Sequence, residues 1–511
     1  MSREYTVALS YPPLEGPGSP MLTQNRQFQW YHAPSYIYPL IPASAATVCA
    51  ESGFRTLWND CIAQHIDKEG FWSFLAQEQP DLLVIETKTP VVRQHWAIIN
   101  EVKRRHPSCV TALMGDHVTA LPEESMRSSN VDYVITGGHY DFTVPELARH
   151  LRDELELPPG VYFRKTGSIA NTGPFCRDVD LAMLPFTDRT LTHAEQYGEK
   201  WKKRSAFFYT LAGRDCPWGK CTFCAWTVTH PKFRVRKAEN LLDEIGLLID
   251  RHGAQEIFDD TGTFPHGQWL QTFCRGMIDR AYNRRVLFSC NMRYGCIAEP
   301  GLLSLMKNAG FRKVKMGLES ANQATLDRLN KGTKVRQIVE ESKMISDAGI
   351  DIQLTVMVGY PWETRDDAAR TIDLARGLME KGHAEMLQST VVVPYPGTRL
   401  HAQALENGWF RGDVDPADYE RYDMRETLFS LPDMTSKEVQ ELSAQVYRSF
   451  LAPRFIIRQL SRIRSWRDLD YVWRGVKAVV GHLRDFVGNK KAKSRVLCEE
   501  PPQVQVSGTT R

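Results

Sequence analysis

Apolar residues in the first 155 positions fall into short runs separated by longer stretches of helical period. The runs at 5–9, 55–58, 82–86, 109–113 and 132–135 predict strands, and the periodic stretches at 42–52, 66–78, 92–105, 121–128 and 143–152 predict helices. Leu82-Leu83-Val84-Ile85 is apolar at every position, whereas a strand wet on one face would alternate, so this strand is expected to be covered on both faces. Regular strand–helix alternation predicts a doubly wound α/β sheet that binds ligands beyond the carboxyl ends of its strands. Glu86-Thr87-Lys88-Thr89-Pro90, Gly115-Asp116-His117-Val118-Thr119 and Thr136-Gly137-Gly138-His139 lie at those ends.

A second alternation occupies residues 206–400, and its punctuation is regular. Helical patterns end at Gly253, Gly310, Gly349 and Gly382, each with a strand close behind. Glycine just past a helix supplies the left-handed cap at no steric cost. With Phe207–Leu211 and Val286–Ser289 this makes six strands in βα units, which predict a partial TIM-type barrel, (β/α)6, open on one side. Chemistry in such barrels gathers at the carboxyl ends of the strands. Here those ends carry Asp259-Asp260-Thr261, Asn291-Met292-Arg293, Glu319-Ser320, Gly359 to Glu363 and Pro394 to Thr398. Thr261, Ser320 and Thr364 are expected to be in part caps of the following helices. Arg293, facing Asp260 and Glu319, is expected to do something else.

The domain layout expected is 1–155 for the first sheet, 156–205 for a folded connector, 206–432 for the barrel, 433–487 for a helical region and 488–511 for a disordered tail. Residues 447–495 contain 13 Lys or Arg against three Asp and no Glu. Such a basic stretch reads first as a solvated face, with docking to a membrane surface or an acidic carrier as the alternative. A net charge of +3 over 511 residues does not suggest a nucleic-acid partner. The amino terminus enters a strand directly, and no apolar run approaches the ~18 residues of a membrane span, so a cytoplasmic protein is expected.

The densest chemistry lies in Arg214-Asp215-Cys216-Pro217-Trp218-Gly219-Lys220-Cys221-Thr222-Phe223-Cys224, where three of the eleven cysteines share nine residues at the end of the first barrel strand. The others are scattered without disulfide spacing, as in a reducing compartment. With His230 the trio makes a Cys3His set for structural zinc. Against this, no second knuckle follows, and the loop stands where barrels place catalysis. A cubane iron–sulfur cluster on three thiolates keeps one iron open to an outside ligand, and explains the placement better.

The loop, with Phe223 directly before the third cysteine, resembles the signature of radical S-adenosylmethionine (radical SAM) enzymes. The usual spacing there is C-x3-C-x2-C; this chain has C-x4-C-x2-C, with the extra residue around Gly219-Lys220. Glu256 to Phe264, Gly317-Leu318-Glu319-Ser320, Val358 to Thr364 and Pro394 to Thr398 are similar to the family's later strand ends. Met114 to Glu124 and Val131 to Gly138 resemble the Rossmann-like cobalamin-binding domain fused to one class of these enzymes. The Asp-x-His-x-x-Gly motif that brings a histidine to cobalt elsewhere is absent, since Asp116 and His117 are adjacent.

The resemblance implies a [4Fe–4S] cluster on Cys216, Cys221 and Cys224, with S-adenosylmethionine near Phe223, Asp260, Arg293 and Glu319. It implies cobalamin near Gly115, His117, Thr119, Gly137 and Gly138. A cobalamin-dependent radical methyltransferase acting on carbon of a small-molecule or lipid-like substrate is the first reading. A cyclase of the anaerobic porphyrin ring type is the second, and a cobalamin-binding regulatory protein with a zinc loop the third. An electron donor such as flavodoxin or ferredoxin is the partner expected.

Overall fold

A computed structural model describes residues 4–22, 28–31, 35–297 and 299–487. The tail expected at 488–511 lies outside the described residues. The first sheet has seven strands: β1 (Thr6–Tyr11), β2 (Arg55–Asp60), β3 (Leu82–Thr87), β4 (Val110–Gly115), β5 (Tyr133–Ile135), β6 (Val161–Lys165) and β7 (Ser168–Asn171). Their order is β2-β1-β3-β4-β5-β6-β7; the first five are parallel and the last two antiparallel. Strand order reverses between β1 and β3, the place where doubly wound sheets leave a crevice for ligands. β6 and β7 come from the stretch read as connector. A three-residue β5 leaves its outer edge unpaired, and the hairpin covers it.

Pleating explains the unbroken apolar run in β3. Leu82 and Val84 pack into one core layer, while Leu83 and Ile85 pack into another with Phe71, Trp96 and Ile99. That second layer also takes in Val393, Tyr395, Tyr419, Tyr422 and Leu428, so the chain leaving the barrel returns to cover the first domain.

The second sheet runs β8 (Phe207–Thr210), β9 (Glu256–Asp259), β10 (Leu287–Met292), β11 (Phe311–Glu319), β12 (Asp351–Val358) and β13 (Met386–Val391). All six are parallel and adjacent in chain order, the partial barrel expected from the sequence. Gly253, Gly310, Gly349 and Gly382 all adopt positive φ, between 63° and 94°, where they end their helices. Thr364 and Thr398 cap the helices Arg365–Lys381 and Arg399–Glu406 with their side chains, whereas Thr261 and Ser320 do not cap, the helices that follow them starting after Gly267 and Asn322.

Buried ion pairs tie the parts together. Glu244, in helix Ala238–His252, accepts from Arg189 at 2.6 Å and also pairs with Arg236, and all three are buried or nearly so. Arg214 and Asp141 pair at 2.6 Å with side chains 6% and 0% exposed, joining the end of the first barrel strand to the helix that follows β5. The helices expected after residue 433 are present at Ser436–Val446, Pro453–Ser461 and Trp466–Val487. Arg458 fastens the second of these to the barrel base through Glu385 at 3.0 Å and the Met379 carbonyl at 2.7 Å.

Replacing Glu244 by Gln strands two guanidiniums in the interior. The unfolding midpoint in urea is expected to drop by the equivalent of about 3–5 kcal/mol, the usual cost of removing one partner from a buried pair. Glu86 gives a second test. Burial raises its carboxyl from 4.5 to about 7, and Tyr11 donates to it. A raised folded-state value means stability is full below pH 4.5 and is lost as pH climbs through about 7. Wild-type stability is therefore expected to fall more between about pH 5 and 8 than that of Glu86→Gln, which keeps a neutral partner for Tyr11.

Candidate functional site

The cysteine loop leaves β8 through a short antiparallel ladder, Gly213–Arg214 against Arg234–Val235. Three ties set its path. The Trp218 indole donates to the Asn330 carbonyl at 2.7 Å, Thr222 N–H to the Leu329 carbonyl at 3.0 Å, and Leu400 N–H to the Thr222 carbonyl at 2.9 Å. The residue that lengthens the first cysteine spacing is absorbed at Gly219, whose φ is +54°. Trp218 swings outward to lie against Gly332, where any side chain would collide with the indole. The Arg293 guanidinium stacks on the same ring, 4.4 Å from its centroid.

Cys216, Cys221 and Cys224 line one cavity of about 210 Å³ at the barrel mouth, together with Phe223, Asp260, Arg293 and Glu319. Every residue proposed for the cluster and for S-adenosylmethionine thus borders the same space. The Cys216 thiol lies 3.0 Å from the Thr263 hydroxyl. Asp260 accepts from Asn291 Nδ2 at 3.1 Å. Arg293 donates to the Lys331 carbonyl. Glu319 takes Lys331 as its partner, Nζ to Oε1 2.8 Å, with both side chains at most 10% exposed.

Backbone distortion makes that pair. Glu319 ends β11 at φ +58°, in the left-handed region, and the register with β12 slips between Gly317 and Glu319. A bulge there re-aims the carboxylate into the mouth. Gly317 leaves space for it, since a Cβ would stand 2.6 Å from Lys331 Nζ. Burial pushes the Cys221 and Cys224 thiols up, while Lys331 acts on Cys221 in the opposite sense.

His230, the fourth member of the zinc set considered above, is wholly buried at the seam with the first domain. Its Nδ1 lies 3.0 Å from the Thr229 hydroxyl, and its ring packs edge-on to His139 at 5.0 Å between centroids. Among the described residues, no three His, Cys, Asp or Glu side chains are grouped about a single metal-ion position. A cubane instead distributes its protein ligands over several irons.

The first domain turns its carboxyl edge to this mouth. Thr119 Oγ1 donates to the Gly115 carbonyl at 2.6 Å and accepts from Gly137 N–H at 3.1 Å, so it joins two of the predicted glycines. Gly138 lies directly against the His230 ring. His117 is set apart: it has no exposed surface, lies 3.3 Å from Glu124 and 3.2 Å from the Thr89 hydroxyl, and packs on Tyr419. The seam is polar and incompletely paired. His139 Nδ1, Asp141 Oδ1, Arg214 Nη1 and Asp215 Oδ1 are buried without hydrogen-bond partners. Burial, with Arg214 beside it, holds His139 down to about 4, so its ring is neutral. Buried donors and acceptors left open in this way fit a ligand rich in amides, as cobalamin is.

Sequence reasoning missed Lys331, Thr263 and Lys315, which share the cavity. The first sits in Asn330-Lys331-Gly332, where Asn330 and Gly332 both take positive φ. A lysine between two turn residues was the available signal.

The sequence profile of the radical SAM superfamily matches residues 211–375. Bacteriochlorophyllide d C-8(2)-methyltransferase of Chlorobaculum tepidum is 30% identical over 363 residues, covering 67% of this chain and 71% of the relative. The anaerobic magnesium-protoporphyrin IX monomethyl ester cyclase of Cereibacter sphaeroides is 22% identical over 464 residues, covering 87% of this chain and 71% of the relative. Among solved structures, the radical S-adenosylmethionine methyltransferase TsrM from Kitasatospora setae, with cobalamin and a [4Fe-4S] cluster bound, superposes with a TM-score of 0.66 at 14% identity, covering 95% of this chain and all of that one.

The Glu319–Lys331 pair is testable by a double-mutant cycle. Lys331→Met and Glu319→Gln each leave a charge unpaired, and the double change leaves none. Urea midpoints are expected to show the double variant less destabilised than the sum of the singles, with a coupling above about 1 kcal/mol.

Proposed function

The chain belongs to the cobalamin-binding-domain-containing radical SAM enzymes, and on that footing we propose that it transfers a methyl group to an unactivated carbon of a small-molecule substrate. One observation supports this most: the three cysteines, Asp260, Arg293 and Glu319 border a single cavity that the carboxyl edge of the first domain faces. Cys216, Cys221 and Cys224 would hold the [4Fe–4S] cluster, and with S-adenosylmethionine present the site supplies one-electron cleavage of a sulfonium carbon–sulfur bond. Gly115, Thr119, Gly137 and Gly138 would border cobalamin, which supplies a methyl carrier. His117, enclosed by Tyr419 and Trp96, would support the loop from behind.

The remaining work falls to side chains in place. Asp260 and Glu319 would receive the amino group or ribose hydroxyls of S-adenosylmethionine, and Arg293 would meet its carboxylate. Lys331 offsets the negative charge gathered by the thiolates and Glu319. Phe223 and Trp226, on the cavity wall, would limit water in the site. Reduction requires an outside electron donor, for which a flavodoxin or ferredoxin is suited.

A ring-closing reaction without methyl transfer is the second reading, favoured by the span of the cyclase match. Anaerobic reconstitution is expected to load about four irons and four sulfides per chain, and Cys216→Ala, Cys221→Ala and Cys224→Ala each to lose them while retaining the fold by circular dichroism. Incubation with methyl-labelled S-adenosylmethionine, reductant and cell extract is expected to place label in a product. A cyclised product without label selects the second reading, and zinc without sulfide in the purified protein overturns both.

A further inference from the structure

The barrel's other end carries a surface that catalysis does not use. Eight of the thirteen large hydrophobic side chains exposed among the described residues fall between Leu451 and Val476. On helix Trp466–Val487, Trp466, Leu469, Trp473 and Val476 recur at spacings of three and four and so share one face, with Trp466 86% and Trp473 57% exposed. The sequence continues that spacing at Val480, Leu483 and Val487. The neighbouring helix Pro453–Ser461 adds Ile456, Ile457 and Leu460, at 41%, 67% and 56% exposure.

These helices are not loose. Arg474 donates to the Lys200 and Lys202 carbonyls at 2.8 Å each, and Arg458 and Arg462 reach Glu385. Between the helices and the barrel base lies an apolar groove of about 370 Å³, lined by Trp201, Met386, Phe455, Leu460, Tyr471 and Val476. Asp351 and Met386 begin β12 and β13, so this face lies at the amino ends of the strands, opposite the cysteine loop.

Charge decides the occupant. Arg448, Arg454, Arg464 and Lys477 are exposed and interleaved with the apolar residues, and Lys477 sits over the Trp473 ring at 5.3 Å. Lys490, Lys491, Lys493 and Arg495 follow in sequence. A second copy docked on this face would set one basic surface against another. An anionic bilayer matches it: interfacial helices pair Trp and aliphatic side chains with Lys and Arg, the first entering the headgroup layer and the second binding phosphates. We propose that the Pro453–Ser461 and Trp466–Val487 helices dock the enzyme peripherally on an anionic lipid membrane, with the barrel mouth directed away from it. No helix among the described residues is long and apolar enough to cross a membrane, so contact is confined to the interface.

Flotation of the full-length holoprotein with vesicles tests this. Binding is expected with phosphatidylcholine containing about 30% phosphatidylglycerol, to weaken at high salt, and to be slight with phosphatidylcholine alone. Trp466→Ser/Trp473→Ser is expected to lower partitioning by about tenfold or more, with iron content and circular dichroism unchanged. Arg454→Glu/Lys477→Glu is expected to act in the same direction through the charge alone. Absence of binding, binding indifferent to anionic lipid, or a dimer in solution that the double Trp variant disperses would each overturn the proposal.

Discussion

The ion pair between Asp141 and Arg214 sets the relation of the two halves of this molecule. Both charges are out of water, so separating them would leave each without compensation. Arg214 stands two residues before Cys216, and Asp141 begins a helix at the carboxyl edge of the first sheet. One mixed and one all-parallel sheet therefore meet with the carboxyl ends of their parallel strands together. Each binds beyond the carboxyl ends of its strands by the logic of its own topology, and the pair makes those places one region. Gly138 against His230 and Ala120 against Gly397 close the same seam.

Strain is concentrated where the chemistry is. Glu319 holds a left-handed backbone that a glutamate does not choose, next to a register slip, and its carboxylate is kept by Lys331. The lengthened cysteine spacing follows the same economy of backbone. Gly219 turns the chain, and Trp218 is clamped between Gly332 and Arg293, so the added residue is spent on an anchor outside the cavity. Arg293 thus has two tasks, bordering the cavity and bracing the loop.

Much of the fold is legible in the sequence, for physical reasons. Strands covered on both faces announce themselves as unbroken apolar runs, as at Leu82 to Ile85, and helices ending in glycine announce the next strand, as at Gly253 and Gly382. Both signals are local. The parts that escaped are relations between distant segments. Nothing local to Val161–Lys165 or Ser168–Asn171 says that they will close the edge of the first sheet. Nothing near Arg293 says that its guanidinium will stack on Trp218 while Lys331 takes Glu319. Charge partners in a barrel mouth are chosen by which loops meet, and a linear reading supplies residue types without that choice.

The shared seam bears on how such a protein can be rebuilt. Its first domain is not an interchangeable cassette, because the surface offered to the barrel includes one carboxylate, at Asp141, and one position bare of a side chain, at Gly138. A chimaera carrying a foreign domain of the same topology would inherit neither by default. Transplanting those two positions along with the domain boundary is the smallest graft that respects the joint.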